Sequence, residues 1–475
     1  MIMKSIWNKE VSIEDRQEVM GSFDTDVLII GAGMAGILTA HYLKENGIDA
    51  VIVEKDRIST SVTANTTAKI TSQHGLIYDK LIKKHGKNTA EMYGKANEDA
   101  INAYENLIHS RHINCHFERL PSYLYSTSDT EVLKQEHRAA CSIGMKAEFT
   151  EKSELPFDIK GAVRFDSQAQ FNPLEFIKDL ADDIKIYENT EVTNVRKHTA
   201  YTDMGTITAK HIVFAAHYPF VNIPGLFFLR QHQERSYVMA FKNVPKLNGM
   251  YYGIDKNGLS LRSAGDILLM GGGSHRTGDL EDYMVYEHLR VKVDEYYPNA
   301  EEVTFWSAQD CITHDSIPFI GRYSYIRPYW YVATGFKKWG MTSSMIAAMI
   351  ISDSICGRKN PYEEVFSPQR FCFKAAALNT LKDAGVSVKS LAKGYFHLPL
   401  KELKDLKERH GTIVRLGIKR YGVYKDENGR LHKVSVKCPH MGCELQWNPN
   451  ELSWDCPCHG SRLNYDGNIL DGPAQ

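Results

Sequence analysis

Two boxes of cysteine and histidine near the C-terminus constrain the fold of this 475-residue chain more than any other feature. The first box reads CPHMGC at residues 438–443, and the second reads CPCHGS at residues 456–461. The remaining cysteines lie singly along the chain, as buried thiols without a ligand role usually do. Thiols and imidazoles clustered in this way predict a metal site in preference to a framework of structural disulfides.

The ligand spacing within the boxes narrows the kind of metal site. Cys438 and His440 form a Cys-x-His pair, and Cys456 and His459 form a Cys-x-x-His pair. Two thiolates can hold one iron of a [2Fe–2S] cluster while two imidazoles hold the other. Zinc accepts the same four ligand types, so a zinc site remains the alternative. Zinc does not account for the second cysteine in each box, and the pattern therefore favours the cluster.

A second motif lies near the N-terminus. An apolar run at residues 27–30 leads into GAGMAG at residues 31–36, and a second apolar run follows at 50–53. Gly31 permits a tight turn, Gly33 lets the backbone approach a pyrophosphate, and Gly36 lets helix and strand pack closely. The helix that follows offers free N–H groups to phosphates. Glu54 ends the second strand, where a carboxylate can accept hydrogen bonds from ribose hydroxyls. The order of these elements predicts a dinucleotide site of the βαβ type.

The rest of the chain divides into an α/β part with a strand-rich insert and a small β part. Apolar residues at helical spacing predict helices at residues 96–108, 131–141 and 171–184. Strand-like runs occur at residues 212–216, 267–270 and 329–332. Short strands that alternate with turns are predicted at residues 412–416, 422–424 and 432–436.

Residues 25–54 resemble the FAD-binding start of the D-amino-acid-oxidase/glycine-oxidase family, and the likeness extends to about residue 357. The further elements of this resemblance lie at residues 59–71, 166–173, 206–216, 315–321 and 334–342. The resemblance implies FAD as a cofactor, with the N-terminus of the last helix directed at the pyrimidine edge of the flavin. The FAD-contacting positions that it implies are Gly31, Gly33, Met34, Ala35, Gly36, Glu54, Lys55, Thr66, Thr67, Ala68, Val192, Gly335, Gly340, Met341 and Thr342.

One position departs from that family in a way that bears on the substrate. Many of its amine and amino-acid oxidases carry an arginine five residues before the aspartate of the 315–321 element, where it clamps a substrate carboxylate. This chain has Asp310 there, and two carboxylates repel each other, so a plain α-amino acid held in the usual way is disfavoured. Arg235, Arg262 or Arg276 could substitute, although structural pairing is the commoner role for each. The sequence identifies no catalytic base.

Both C-terminal boxes resemble the Rieske family, specifically its disulfide-containing cytochrome bc-type branch. The resemblance implies these iron ligands: Cys438 and Cys456 on one iron, and His440 and His459 on the other. It also implies a disulfide between Cys443 and Cys458 that ties the two loops together. Residues 472–474, which read GPA, are similar to the proline loop that covers the cluster in this family.

One further position of the Rieske resemblance concerns the redox potential. Ser461 stands where the family donates a hydroxyl hydrogen bond to a cluster sulfur. Two residues later, high-potential members have a tyrosine that does the same, and this chain has Leu463. Loss of a donor lowers the potential, which predicts a value in the lower part of the Rieske window of about −150 to +300 mV.

Together these features predict an α/β FAD-binding Rossmann-type domain with an α+β substrate domain, plus a C-terminal all-β Rieske domain. The expected boundaries are a lead-in at 1–24, the oxidoreductase at 25–360, a connector with a short helix at 361–390, and the Rieske domain at 391–475. The formal net charge of −1, with both signs mixed, gives no reason to expect nucleic acid as a partner. No apolar run reaches the ~18 residues of a membrane span, and the N-terminal residues lack a secretory signal, so a cytoplasmic location is expected.

Two cofactors in one chain predict an FAD-dependent oxidoreductase with an unidentified electron partner. The favoured hypothesis is a dehydrogenase that oxidises a small amine-like substrate and passes electrons singly through the Rieske cluster to an acceptor. A reductase in which the cluster feeds electrons to FAD is the first alternative. A non-catalytic redox sensor is the second.

Overall fold

The computed structural model describes residues 4–279, 284–370, 406–417 and 419–474. The predicted connector at 361–390 contains a short helix, Glu363–Phe366, in its described part. Its residues from 371 onward and the predicted domain start at residue 391 lie outside the described residues, so the domain boundaries stay predictions. The helices are α1 (Ile6–Glu10), α2 (Met34–Glu45), α3 (Tyr78–His85), α4 (Lys87–Arg111), α5 (Glu131–Ser142), α6 (Pro173–Ala181), α7 (Val285–Tyr296), α8 (Gly340–Ile355) and α9 (Glu363–Phe366).

The strands occur in two groups, the second of which belongs to the C-terminal domain. The first group is β1 (Phe23–Ile30), β2 (Ala50–Val53), β3 (Lys69–Ile70), β4 (Glu118–Ser126), β5 (Ala147–Thr150), β6 (Gly161–Gln170), β7 (Lys185–Tyr187), β8 (Val192–Arg196), β9 (Thr199–Thr202), β10 (Gly205–Phe214), β11 (Gln231–Lys242), β12 (Met250–Gly253), β13 (Ser260–Ala264), β14 (Ile267–Arg276), β15 (Glu301–Thr313), β16 (Phe319–Ser324) and β17 (Arg327–Thr334). The second group is β18 (His410–Leu416), β19 (Lys419–Lys425), β20 (Leu431–Ser435), β21 (Gln446–Asn448), β22 (Ser453–Asp455), β23 (Arg462–Asn464) and β24 (Ile469–Asp471). Short 3-10 helices lie at Val62–Asn65 and Phe227–Leu229.

The first sheet has the strand order β16-β17-β10-β1-β2-β7, and β8 and β9 form a hairpin beside β10. The pairs that join β17, β10, β1, β2 and β7 are parallel, while β16 pairs antiparallel with β17. The end of β1, residues 27–30, is a continuous buried apolar run, as expected for a parallel strand covered on both faces. Ile37 of α2 and Met345 of α8 share the core on one face, which confirms the predicted Rossmann-type domain.

The second sheet forms the substrate domain, with the order β15-β11-β14-β13-β12-β4-β6-β3 and β5 on the far side of β6. β11 pairs antiparallel with both β14 and β15 over most of its length. Tyr286, Leu289 and Val293 of α7 pack against Tyr237 and Met270 on one face of this sheet. The sheet is mainly antiparallel, with one parallel pair between β12 and β4, and together with α7 it gives the α+β architecture that the sequence predicted.

The N-terminal lead-in packs against the first domain from residue 4 onward. Ile6 and Trp7 of α1 are buried in the main core, and Val19 is buried beneath the first sheet. The Trp7 indole donates a hydrogen bond of 2.8 Å to the carbonyl oxygen of Thr66. The lead-in therefore holds a loop that the sequence predicted to contact the flavin.

The C-terminal domain is all-β in its described residues, as predicted. It contains the sheet β18-β19-β20 and the sheet β21-β22-β23-β24. Its core is small, and the fully buried Trp454 lies directly over Gly422, where a Cβ would come within 2.6 Å of the indole ring. The cysteines of both boxes pack in the same core as Trp454 and Leu463.

Candidate functional site

The glycine turn after β1 has the geometry that a dinucleotide site requires. Gly31 has a φ of +111°, and a Cβ on it would lie 2.6 Å from the carbonyl oxygen of Ala215. A Cβ on Gly36 would lie 2.0 Å from the carbonyl oxygen of Gly31, so only glycine lets α2 approach the turn. Gly33 has no side chain to cap α2, and the N–H of Met34 donates to the Thr63 hydroxyl at 3.1 Å. The following N–H groups, those of Ala35 and Gly36, are placed for phosphate oxygens.

Glu54 lies at the end of β2 beside this turn. Its Oε2 accepts a hydrogen bond of 2.8 Å from the Ala32 N–H, and its Oε1 accepts one of 3.1 Å from the Asp56 N–H. Burial raises the pKa of Glu54, and the two N–H donors act in the opposite direction. Each carboxylate oxygen has a further lone pair, so the group could still accept two ribose hydroxyls. Lys55 is exposed beside it and lies 3.8 Å from Asp56.

Two tryptophan indoles hold the loop at residues 65–68 through hydrogen bonds to its main-chain oxygens. Trp306 donates a hydrogen bond of 2.9 Å to the carbonyl oxygen of Asn65, and Trp7 holds Thr66. The Thr66 hydroxyl accepts a hydrogen bond of 3.0 Å from the N–H of Ala68, which has a φ of +53°. Since both indoles contact main-chain oxygens, the side chains of Thr66 and Thr67 are left on the side that faces the cavity described below.

Helix α8 begins at Gly340, and open space lies in front of this residue. A Cβ on Gly340 would meet nothing within 4 Å. The Tyr104 hydroxyl donates a hydrogen bond of 2.9 Å to the carbonyl oxygen of Met341, and Thr342 lies 3.3 Å from Nε2 of His74. Gly335 turns the chain before the helix with a φ of +74°. The helix N-terminus is therefore fixed and uncapped, as a site for an electron-rich ring edge requires.

Val192, another predicted FAD contact, is buried at the start of β8 and shares a core with Ile30 and Val53, the last residues of β1 and β2. The structure brings together the glycine turn, Glu54, the 65–68 loop and the α8 N-terminus around the ends of β1 and β2. These positions fit an extended dinucleotide, because glycine turns, uncapped helix starts and one carboxylate are its usual binding groups.

A cavity of about 100 Å³ lies between the 65–68 loop, the second sheet and the residues before α8. Two parts of the first domain and the strands of the substrate domain meet here, which is a common position for a substrate site. Its polar lining includes Lys69, Asp310 and Lys338, and its aromatic lining includes Tyr252 and Trp339. The remaining lining residues are Asn65, Thr66, Thr67, Ser236, Tyr237, Val238, Gly258, Ser260, Gly271, Gly272, Ser274 and Ala308.

Asp310, which replaces the expected arginine, lies in this cavity beside a cation. The Lys338 ammonium is 3.7 Å from Oδ2 of Asp310 and 3.6 Å from Oε2 of Glu234, and it donates to Ser236. Burial raises the pKa of Asp310, and Lys338 acts in the opposite direction. A buried carboxylate with its own cation cannot clamp a substrate carboxylate, but it can accept hydrogen bonds from an amine.

Sequence reasoning missed Lys69, which is buried at the floor of the same cavity. Its ammonium donates to the carbonyl oxygen of Tyr251 at 2.9 Å and to the Ser260 hydroxyl. Burial, together with the nearby Arg262 guanidinium, lowers the pKa of Lys69 to about 7. Its position directly after the predicted flavin loop was a signal, but a lysine in a short strand is usually read as exposed.

The three arginines considered as carboxylate clamps have structural partners. Arg235 pairs with Glu451 of the C-terminal domain, and Arg262 donates a hydrogen bond of 3.0 Å to Oε1 of Gln170. Arg276 donates to main-chain oxygens of the second cysteine box. None of them is among the described residues that line the cavity, so the expectation of structural pairing is confirmed.

The two cysteine boxes form tight loops that face each other. A disulfide joins Cys443 and Cys458, whose Cα atoms are 6.6 Å apart, and both therefore leave the ligand set. Cys438 and Cys456 are buried free thiols that hydrogen-bond to each other. The four predicted ligands thus converge, because the rings of His440 and His459 are also only 5.0 Å apart, centroid to centroid.

The histidine environment suits metal ligation. Nδ1 of His440 is buried and has no hydrogen-bond partner within the described part of the chain. Burial lowers the pKa of His440, which favours the neutral imidazole that binds metal. Ala474 donates its N–H to the Ser461 hydroxyl at 3.2 Å, so the predicted proline loop does lie against the second box. Two thiols and two imidazoles in this arrangement fit a [2Fe–2S] cluster.

The cluster boxes rest on the same strands that form the cavity wall. Gln233 of β11 donates a hydrogen bond of 3.0 Å to the carbonyl oxygen of His459, and Gln309 of β15 donates one of 2.9 Å to that of Gly460. Further along β11, Ser236 lines the cavity. Ser236 lies three positions after Gln233, which is roughly 10 Å along a strand. The two predicted cofactor sites are therefore neighbours across β11 and β15.

Among the described residues, no helix is both long enough and apolar enough to cross a membrane.

Comparison with known proteins agrees with both sites. Residues 26–354 match the family model described as FAD dependent oxidoreductase, and residues 397–475 match the Rieske [2Fe-2S] domain. A Bacillus subtilis (strain 168) protein described as the Rieske 2Fe-2S iron-sulfur protein YhfW is 35% identical over 490 residues, covering 99% of this chain and 96% of that protein. The cytochrome b6-f complex iron-sulfur subunit 1 of Synechocystis sp. (strain ATCC 27184 / PCC 6803 / Kazusa) is 36% identical over 90 residues, which are 18% of this chain and 50% of that subunit.

Among solved structures, glycine oxidase from Geobacillus kaustophilus superposes with a TM-score of 0.63 at 18% identity. The match covers 73% of this chain and 99% of the oxidase, and at this identity it establishes the fold alone. The two family matches set aside the zinc alternative for the C-terminal site. The chain belongs to the FAD dependent oxidoreductase family and carries a C-terminal Rieske domain, so that its cofactors are FAD and a [2Fe–2S] cluster.

Proposed function

We propose that this chain is a dehydrogenase that oxidises a small amine-like substrate and delivers the electrons, through its own Rieske domain, to an acceptor outside the chain. FAD supplies hydride acceptance and can release electrons singly, and a Rieske cluster carries one electron at a time. The observation that carries the proposal is the seating of the cluster boxes on β11 and β15, which also form the cavity wall.

We assign the cofactor contacts from the same geometry. The glycine turn at 31–36, Glu54, the 65–68 loop and the start of α8 at 340–342 are proposed to hold FAD. Cys438 and Cys456 are proposed to bind one iron, with His440 and His459 on the other. The Cys443–Cys458 disulfide then ties the two ligand loops into one unit.

The substrate class follows from the charges in the cavity. Among the described lining residues, Asp310 is the carboxylate and no arginine is present, while the Lys338 ammonium is engaged by Asp310 and Glu234 and burial makes Lys69 largely neutral at pH 8, so the cavity favours an amine over a second carboxylate. Its volume of about 100 Å³ suits a small molecule or the reacting end of a larger one. Tyr252 and Trp339 add aromatic faces, which attract a cationic amine before it loses its proton.

Lys69 is proposed to accept that proton. With a pKa of about 7, its side chain is largely neutral at pH 8 and can take one proton from the substrate ammonium. One N–H bond of the substrate breaks and one forms at the lysine Nζ, which leaves the amine neutral. Hydride transfer from a neutral amine then requires only alignment, which the packed cavity walls provide.

The proposal is tested by anaerobic mixing of the holoprotein with amines, α-amino acids and NADH. Flavin bleaching is followed by absorbance, and cluster reduction is followed by EPR. An amine that reduces the flavin and then the cluster supports the proposal. Reduction of the flavin only when electrons enter through the cluster from a ferredoxin-type donor would establish the opposite direction. No redox response to any donor, with both cofactors bound, would leave a sensor role.

A pair of variants tests the substrate class separately. Asp310→Asn removes the carboxylate that lines the cavity, and we expect KM for the amine to rise about tenfold. Glu234→Gln is the matched control, because Glu234 also pairs with Lys338 but is not among the lining residues. Equal effects of the two variants on KM would contradict recognition of the amine by Asp310.

A further inference from the structure

Tyr218 is a buried tyrosine whose hydroxyl lacks a partner. Its side chain is 5% exposed, and its hydroxyl makes no hydrogen bond to any described residue. Buried hydroxyl groups nearly always have a partner in native proteins. The position of Tyr218 therefore indicates a hydrogen-bond acceptor that the protein atoms around it do not supply.

The segment that carries Tyr218 lies between the two cofactor sites. On one side, a Cβ on Gly31 would lie 3.2 Å from the Cα of Ala216, so the segment backs the dinucleotide turn. On the other side, Nε2 of His217 lies 3.4 Å from the thiol of Cys311. Cys311 is the cross-strand partner of Gln233, which contacts the second cysteine box.

Thiols of both domains are among the groups that act on the Tyr218 hydroxyl. Burial raises its pKa well above the usual value, and the thiols of Cys311 and Cys456 act in the same direction. The hydroxyl therefore keeps its proton at neutral pH and remains a donor. Cys456 is one of the two proposed cysteine ligands, so a cluster held there would place sulfur atoms on the side of the missing acceptor.

The Rieske domain itself lacks one donor at this place. Leu463 stands at the position where high-potential relatives have a tyrosine, and it is buried against Trp454 in the apolar core. A leucine cannot donate a hydrogen bond, whereas the neighbouring Ser461 hydroxyl accepts the N–H of Ala474 and keeps its own proton free to donate. The Rieske domain therefore has one donor fewer than its high-potential relatives, and the FAD domain holds a buried hydroxyl without a partner among the described residues.

We propose that the Tyr218 hydroxyl donates a hydrogen bond to a cluster sulfur at the Cys456 corner, so that the FAD domain supplies the donor that Leu463 removes. A donor to sulfur stabilises the more electron-rich, reduced cluster and raises its potential. Docking of the two domains then tunes the potential. The inference depends on the cluster alone and holds for any substrate and for either direction of electron flow.

The test is Tyr218→Phe in the full-length holoprotein, with the cluster potential measured by an EPR-monitored redox titration. We expect unchanged iron content and a lower potential. At a fixed applied potential, the ratio of reduced to oxidised cluster should fall about tenfold, which is 59 mV for one electron. An unchanged potential in Tyr218→Phe would overturn the proposal.

Tyr323→Phe is the matched control. Tyr323 is equally buried and its hydroxyl donates to the carbonyl oxygen of Val221, so the control removes a tyrosine hydroxyl that has a partner elsewhere. We expect the control to leave the potential unchanged even where it lowers the stability. An equal shift in both variants would show a general effect of packing and would also overturn the proposal.

A second measurement does not depend on the potential. In D2O, electron–nuclear double resonance of the reduced cluster should detect couplings to exchangeable deuterons, including those of the Ser461 and Tyr218 hydroxyls. The spectrum of Tyr323→Phe should match the wild type, and Tyr218→Phe should lack one of these couplings. An identical set of couplings in Tyr218→Phe and in the wild type would contradict the assignment to Tyr218.

Discussion

The flavin region and the cluster region of this chain are built by different means. Around the dinucleotide turn, the determining features are backbone features, namely the close approach at Gly31 and Gly36 and the open helix start at Gly340. In the cluster region, the determining features are the side chains of two short loops, which a disulfide joins. A backbone site tolerates many side-chain changes but no added Cβ at its glycines, whereas a side-chain site fails when one ligand is lost.

The two regions also differ in how much apolar core supports them. The FAD-binding domain and the substrate domain together have large cores on both of their sheets. The described core of the C-terminal domain contains few apolar residues besides the cysteines, chiefly Val434, Leu445, Trp454 and Leu463. Small domains with little core depend on metals or disulfides for stability. The cluster should therefore stabilise its own domain far more than FAD stabilises the larger one.

Loss of a cluster ligand should have the largest effect. We expect Cys456→Ala to abolish cluster binding and to unfold the C-terminal domain at 37 °C, because metal binding and folding of such a domain are coupled. Flavin content should stay the same, because no described contact of the proposed FAD site involves the cysteine boxes. Iron analysis, EPR and flavin absorbance measure these outcomes.

Cys115→Ala is the control for this variant. Cys115 is a buried free thiol of the first domain, and its removal creates a small cavity without removing a ligand. This control should keep both cofactors. Parallel loss of flavin and iron in Cys456→Ala would mean that the two domains fold as one unit, which contradicts the comparison.

The next effect concerns the glycine turn. Gly36→Ala places a Cβ 2.0 Å from a main-chain oxygen, so we expect a loss of about 3 kcal/mol or more in the free energy of unfolding of the first domain. In Gly33→Ala, the nearest atom is the Thr63 hydroxyl at 3.3 Å, so stability should change by less than about 1 kcal/mol. Its FAD affinity should nevertheless fall about tenfold, because the Cβ occupies the approach of the pyrophosphate.

Urea unfolding and flavin titration separate these two outcomes. If Gly36→Ala were as stable as Gly33→Ala, the close contact between α2 and the turn would not determine folding. If Gly33→Ala bound FAD as tightly as the wild type, the pyrophosphate would lie elsewhere.

Lys69→Met should separate activity from stability. At pH 8, we expect flavin reduction by the amine to slow about 100-fold. The rise in the rate of flavin reduction with pH, centred near pH 7 in the wild type, should disappear. The free energy of unfolding should rise by roughly 1–3 kcal/mol, because methionine removes a buried amine. Stopped-flow reduction and urea unfolding measure the two effects.

The lowered pKa of Lys69 also determines how its contribution to the free energy of unfolding changes with pH. Its folded-state pKa of about 7 lies below the unfolded value of about 10.4, so the unfolded chain binds more protons between these values. The stability contribution of Lys69 therefore rises with pH across that range in the wild type and is absent in Lys69→Met. A variant with the wild-type activity profile would exclude Lys69 as the proton acceptor.

Features of the flavin region and the cluster region that depend on residues close together in the chain could be predicted from the sequence. The spacing of Cys438, His440, Cys456 and His459 identified the cluster type, because the ligands are local in the chain. The βαβ unit was predicted from an apolar run, a glycine turn and a terminal acid. Helix α4 was predicted only at residues 96–108, although it begins at Lys87, because its first turns are mainly polar.

Features that depend on long-range contacts could not be predicted. Lys69 looks like a surface residue until the second sheet buries it, and no local pattern joins it to Asp310. No local pattern singles out Tyr218, because the second cysteine box lies more than 200 positions away from it in the sequence. The packing of Trp7 under the flavin loop was hidden for the same reason.

The smallest expected effect lies at the surface of the C-terminal domain. His432 hydrogen-bonds to Asp466 at 2.7 Å and to Asp426 at 3.1 Å. Burial lowers its pKa, but these two carboxylates outweigh that effect and raise it above the usual value. The stabilisation is therefore fully present below about pH 6.5 and is lost as pH rises through the raised folded-state pKa.

His432→Gln removes this pH-dependent stabilisation. We expect a loss of roughly 0.5–1 kcal/mol in the stability of the C-terminal domain at pH 6 and a smaller loss at pH 8.5. Thermal unfolding followed at the cluster absorbance measures it. A larger loss at pH 8.5 than at pH 6 would contradict the assigned direction.

The flavin and the cluster are proposed to exchange electrons within one chain. The most direct measurement is the rate of electron redistribution between them after a brief pulse of photochemical reductant, at protein concentrations that differ tenfold. We predict a rate that does not change with concentration, because β11 and β15 hold the two sites together. A rate that rises in proportion to concentration, or a cluster that stays oxidised while the flavin is reduced, would contradict the account.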